Sequence, residues 1–497
     1  MSVESLAPGM VGGVSPARAV ADSDVNRLRS LAVGAGLGCA VLFVVLGLGF
    51  ELQFYGDGSI FAYSVAVQDS WAYHLHNISC RMVAYLFSFL PGETAISLTG
   101  SAAVGIAVYG FQQFGAQLYG LAATFLADRS KGRIIFGYAC CSTACACPLV
   151  FGFPTEMWMT HAMFWPALAI SHYARAGAAG LALVLAAQLV LAITHEGAVI
   201  LLFLILMTLA LRGLRDPAFL RGTVTFAAVM AIWLFIRMTL RPDAYIAGVL
   251  AQAGLHFFST DILFSDLTVL FGAALAGYGM LFLLLQWQGS ARAHLYAAAI
   301  VIAALAVHWI WFDHALHTEN RYFMRTVLLL ATAGFGTLAA LYALSAEGRL
   351  NIPVPVLPRL LAAMVNGPAI RAVTGALFLV MLVHAVETAK FVKAWSAYTS
   401  AVRTLVMSTA SDPALGDSRF VSSGRISPYL NRVAWNSTEP YLSVLVAPDF
   451  APRRLMVDPA ADYFWISCGT AKATERADRS IPAQSRHLVR VHACLHR

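Results

Sequence analysis

Ionisable residues are few in this 497-residue chain, and several recur close together. Asp57 stands in Phe54-Tyr55-Gly56-Asp57-Gly58, with His74, His76 and Asn77 after it and Arg81 beyond them. Glu156, His161, His195 and Glu196 sit at the ends of apolar runs, and His317, Glu319, Arg321 and Arg325 form a later group. A carboxylate within hydrogen-bond reach of a hydroxyl can take its proton. An arginine offers a planar fork that suits phosphate and does not lose its charge. Together they suit chemistry in which a hydroxyl is deprotonated and a phosphate is held. Each residue also has a plainer use. Gly-Asp-Gly is a favoured turn composition, Arg321 and Arg325 can snorkel at an interface, and His74 and His76 fit an amphipathic surface helix or contact a sugar or a metal.

Composition limits the elements that can position these residues. The chain is 59% hydrophobic and 12% charged, with net charge +7, and its mean hydropathy is +0.70. A soluble domain carries about 25% charged residues. An ordinary soluble enzyme, a disordered chain and a disulfide scaffold are thereby excluded, and the basic balance is no sign of nucleic-acid binding. The expected class is an all-α polytopic membrane protein with about 11 spans. Their approximate limits are 30–50, 94–127, 134–152, 157–174, 178–194, 197–213, 221–240, 263–287, 293–312, 322–344 and 370–389. The run over 31–50 is too long for a signal-peptide core and reads as the first span.

The arrangement predicts a cytoplasmic segment 1–29, a transmembrane domain 30–390 with a long first outer loop 51–93, and an extracytoplasmic domain 391–497. Arg27, Arg29, Arg129, Lys131, Arg133 and Arg212 fall on the inner side under this topology, which puts the N-terminus inside by the positive-inside rule. The tail is expected to be a small α+β domain with short strands at 454–458, 463–468 and 487–494, and Cys468 and Cys494 can pair there in an oxidising compartment. Most acids and histidines of the membrane part fall on the outer side. Acids contribute little to topology, and ionisable groups at short turns are expensive unless they face a wet cavity or a partner. A polar outer cavity is therefore expected, completed by Glu156, His161, His195 and Glu196.

An acid just after the first span, followed by an aromatic and small helical stretch from Asp57 to Tyr63, resembles the GT-C superfamily of integral-membrane glycosyltransferases. The span number, the long first outer loop and the C-terminal outer domain resemble it too. The resemblance implies transfer of a sugar from a polyprenyl-phosphate donor to a lipid, glycan or protein acceptor, with inversion, at the outer face of a bacterial inner membrane. It makes Asp57 the general base, sets Arg321, with Arg81 or Arg325, on the donor phosphate, and lays the lipid tail between spans. Many members carry an adjacent acid pair, whereas here Gly58 follows Asp57, so a divalent metal ion is left open. The alternatives are a transporter or channel, which calls for ionisable residues near the bilayer midplane, and another lipid-modifying transferase. Cys140, Cys141, Cys145 and Cys147 lack a repeated Cys-x-x-Cys and read as small apolar packing.

Overall fold

The computed structural model describes residues 16–71, 81–146, 155–239, 264–316, 321–351, 356–408, 420–435 and 438–458. Of residues 16–22, 321–327, 358 and 420 only the backbone is described. The structure is about 81% helical. The first span is α1 (Pro16–Gly49), and α2 (Asp57–Ala66) follows it after a single 3-10 turn. The bundle continues with α3 (Leu90–Thr99), α4 (Ala102–Ala127), α5 (Ile134–Ala146), α6 (Glu156–Tyr173), α7 (Ala178–Ala192), α8 (Ala198–Ala210) and α9 (Pro217–Thr239). After these come α10 (Asp266–Trp287), α11 (Ala293–Trp311), α12 (Arg321–Ala346), α13 (Val356–Met364) and α14 (Gly367–Ser408).

Each expected apolar run carries a helix, but the number able to cross a membrane differs from expectation. Among the described residues six helices are long and apolar enough, namely α1, α9, α10, α11, α12 and α14. Apolar helices α7 and α8 have 15 and 13 residues, short of the about 20 that a hydrocarbon core requires, and the described part of α5 has 13. Helices α4 and α6 are long enough but carry buried Gln113, Gln117, Glu156, His161 and His172. The run over 94–127 is two helices. Gly100 adopts the left-handed conformation at φ 70, which ends α3, and the Ser101 side chain caps α4 by accepting from the Val104 amide. A glycine at this position closes a helix without a Cβ penalty.

Helix α14 runs unbroken through residue 390, where the sequence suggests a domain boundary. Its 42 residues span about 63 Å, twice a hydrocarbon core of about 30 Å. Its C-terminal part keeps a helical apolar stripe of Phe391, Trp395, Tyr398, Val402 and Val406, all buried, which a protein core needs as much as a bilayer does. The described tail stacks on this stalk. Strands β1 (Phe420–Ser422) and β2 (Leu455–Val457) pair in parallel, Phe420 opposite Leu455, so of the three expected strands that at 454–458 coincides with β2. Those at 463–468 and 487–494, with Cys468 and Cys494, lie outside the described residues. The Arg403 guanidinium donates to the Val446 carbonyl at 2.7 Å and the Arg454 amide to the Val406 carbonyl. Helix α15 (Glu439–Leu445) then reaches α2, where Tyr441 meets Tyr63 edge-on, ring centroids 5.2 Å apart.

Candidate functional site

The start of α2 is set by Gly56. Its φ of 61 and ψ of −133 suit glycine and strain any other residue. A Cβ there would lie 3.1 Å from the Trp435 indole. Tyr55, just before it, is buried among Phe391 at 4.8 Å, Trp395 at 5.2 Å and Trp435 at 6.3 Å between centroids. The Trp395 indole in turn donates to the Phe50 carbonyl at 3.0 Å. The end of the first span, the stalk and the tail thus fix the backbone on which Asp57 stands. Asp57 occupies the first turn of α2, where the helix dipole favours a carboxylate.

Arg81 lies across the same region. Its Nε donates to Glu196 Oε2 at 2.9 Å and its Nη1 to Glu156 Oε2 at 3.0 Å. Glu156 opens α6 after the Thr155 cap. Glu196 sits in the turn between α7 and α8, beside His195 Nδ1 at 3.8 Å. Burial works against the Glu196 charge, but the Arg81 guanidinium, His195 and the hydrogen bonds outweigh it and hold the carboxyl down at about 2. Burial also opposes the Arg81 charge, and the two carboxylates more than reverse that, raising its pKa.

Tyr109 of α4 lies within electrostatic range of both Asp57 and Glu156. It is fully buried, the Asp57 and Glu156 carboxylates both act on it electrostatically, and its hydroxyl has no hydrogen-bond partner among the described residues. The sequence reading missed it, because one tyrosine in an apolar helix carries no signal of its own. His161 is placed differently. Its Nδ1 is 2.8 Å from the Gln117 carbonyl oxygen and its Nε2 2.9 Å from the Ser142 hydroxyl. The Gln117 amide nitrogen donates to the Trp158 carbonyl, so its oxygen faces His161 and can only accept. His161 is therefore protonated on Nδ1, and both ring nitrogens are spent inside the bundle.

Arg321 and Arg325 fall in the first two turns of α12, and their side chains lie outside the described residues. So do His74, His76, Asn77, His317 and Glu319. A second charged cluster, not foreseen as a unit, joins Lys390 to Asp313 at 3.1 Å and to Glu387 at 3.1 Å, with the Trp309 indole donating to Glu387. Lys390 is 23 residues beyond the start of α14, about 35 Å along it. Among the described residues no three His, Cys, Asp or Glu side chains converge as metal ligands.

The chain matches no protein-family model, no curated protein and no solved structure.

Proposed function

We propose that this protein is an integral-membrane glycosyltransferase of the GT-C kind, moving a sugar from a polyprenyl-phosphate donor to a hydroxyl acceptor at the outer face. The observation that supports the reading is the placement of Asp57. It heads a helix directly after the first span, on a glycine hinge clamped by Trp435, and shares Tyr109 with the Arg81–Glu156–Glu196 trio. In this reading the Asp57 carboxylate takes the acceptor hydroxyl proton as the oxygen attacks the anomeric carbon. The anomeric carbon–oxygen bond to the phosphate breaks on the opposite side, the lipid phosphate leaves with the electron pair, and the configuration inverts. Arg321 and Arg325 hold that phosphate, as their charge and chemistry suit.

Arg81 takes another part. Its two hydrogen-bonded carboxylates make it a positioning residue that ties the start of α6 to the turn between α7 and α8. In this reading the carboxylates of Glu156 and Glu196 accept hydrogen bonds from sugar hydroxyls. The test is transfer itself. Membranes containing the protein and a labelled polyprenyl-phosphate sugar should yield a labelled lipid, glycan or protein product. Substrate or ion flux in proteoliposomes with no such product supports a transporter instead.

A further inference from the structure

A thiol, a thioether and an imidazole, those of Cys39, Met381 and His384, line one cavity of about 680 Å³ between α1 and α14. Local packing brings them there. A Cβ on Gly36 would run into the Cys140 backbone, so α1 and α5 approach closely at that level. One turn further, Cys39 joins Ala144, Leu377 and Met381 in a single apolar cluster, with Cys145 packed against it. Met381 and His384 are three positions apart on α14 and so share a face of the helix. Cys39 is buried and is in no disulfide.

The imidazole is held as a ligand would be. His384 is 4% exposed, on a helix long and apolar enough to cross a membrane, where an ionisable side chain is costly and calls for a partner. The Phe271 ring packs on it at 4.7 Å between centroids. The His384 ring donates a hydrogen bond to the Cys145 carbonyl. Its Nδ1 is buried and has no hydrogen-bond partner among the described residues, so the donor is Nε2. With the proton fixed on Nε2, Nδ1 keeps a lone pair. Metal-binding histidines are oriented in this way, by a carbonyl on the nitrogen that faces away from the ion. Thiolate and thioether donors select soft ions such as Cu(I), and imidazole suits copper as well. Charge narrows the choice further. One thiolate neutralises Cu(I), whereas Zn(II) on the same donors would keep a net charge, which is expensive in an apolar cavity. No acid lines the cavity among the described residues. Lys393 lines its far end, nine residues beyond His384, about 14 Å along the helix.

We propose that Cys39, Met381 and His384 form a Cu(I) site that ties α1 to α14. Binding forms bonds from copper to Cys39 Sγ, Met381 Sδ and His384 Nδ1, and the Cys39 thiol proton goes to solvent, one proton for each ion. Copper stays Cu(I), so the step needs no oxidant or reductant. The methionine completes the set of three, and α5 contributes a carbonyl rather than a thiol. The site stands apart from the transferase reading and does not depend on it.

The test is anaerobic titration of the purified full chain in detergent with Cu(I), against bicinchoninate as the competing chelator. A single tight Cu(I) should bind. Cys39→Ser, Met381→Leu and His384→Gln should each weaken it at least about tenfold, the lower end of what loss of even an outer-shell partner costs. Cys145→Ala keeps the carbonyl that anchors the ring and should bind as the wild type does. Ag(I) should compete and Zn(II) should not. X-ray absorption of the wild type at substoichiometric copper should show two sulfur neighbours and one nitrogen, a reading that needs no variant. Unfolding temperatures separate a variant that has lost its fold from one that has lost a ligand. The proposal is overturned if no tight Cu(I) binds, if the three ligand variants keep the wild-type affinity, or if Cys145→Ala loses binding while unfolding normally. Equal competition by Zn(II), or a copper shell of sulfur alone, would overturn it too.

Discussion

Gly56 faces the Trp435 indole so closely that a Cβ on the glycine would lie 3.1 Å from the ring. The two residues are 379 positions apart (56 to 435), and their contact joins the tail to the turn that aims Asp57. At φ 61 and ψ −133 a side chain would add backbone strain to the collision. Gly56→Ala should cost about 1–3 kcal/mol and cut activity by more than the loss of folded protein. Trp435→Ala relieves the collision, so the double variant should recover part of the stability lost in Gly56→Ala. Thermal unfolding of the three variants in detergent checks this.

Arg81 answers two buried carboxylates, with side chains 3% and 14% exposed. Removing it leaves both acids without their cation, a change that costs about 3–5 kcal/mol in buried pairs. Arg81→Met should therefore unfold the chain at markedly lower temperature. Pairing it with Glu196→Gln should restore part of the difference, and a double-mutant cycle measures the coupling.

The two perturbed carboxyls outside the spans give opposite pH behaviour. Glu196 is held at about 2, below the ordinary value of 4.5. Its contribution to stability is complete above about 4.5 and is lost as pH falls through about 2. Glu439 is the reverse. Burial first, then the charge of Asp458, push it up to about 8, and neither oxygen has a partner in hydrogen-bond geometry among the described residues. Its contribution is complete below about 4.5 and is lost as pH rises through about 8, because folding then buries a charge. The unfolding midpoint should fall as pH rises from about 4.5 to about 8 and level off above, and Glu439→Gln should flatten that fall while leaving the acid limb unchanged.

His161 has both nitrogens engaged by Gln117 and Ser142. Its replacement by alanine opens a cavity and leaves those two groups without their partner, which should lower stability by about 2–4 kcal/mol. Activity should fall only in proportion to the folded fraction. Turnover per folded molecule, measured at low temperature, separates this from a direct chemical role.

How far the sequence discloses such relationships depends on how local they are. The apolar runs locate the helices, because burial of a helical face leaves a periodic trace, and Gly-Asp-Gly marks the turn at Asp57. Gly100 is less legible, since one glycine in a long apolar run is as easily tolerated within a helix. The length of α14 is hidden because its C-terminal stripe, Phe391 to Val406, is apolar for the tail's sake. Pairings are not local at all. Arg81 meets partners 75 and 115 residues away, so only the chemical types suggest the match. His161 and His195 look alike in composition, yet one is locked in the bundle and the other stands beside Glu196.

The transferase account turns on one proton acceptor. Asp57→Asn keeps the shape and the turn-forming ability of the residue while removing its basicity. Single-turnover transfer from labelled polyprenyl-phosphate sugar, with unfolding temperature as the control, should fall by at least about a hundredfold in a protein that unfolds at the wild-type temperature. Transfer at the wild-type rate in that variant would contradict the account.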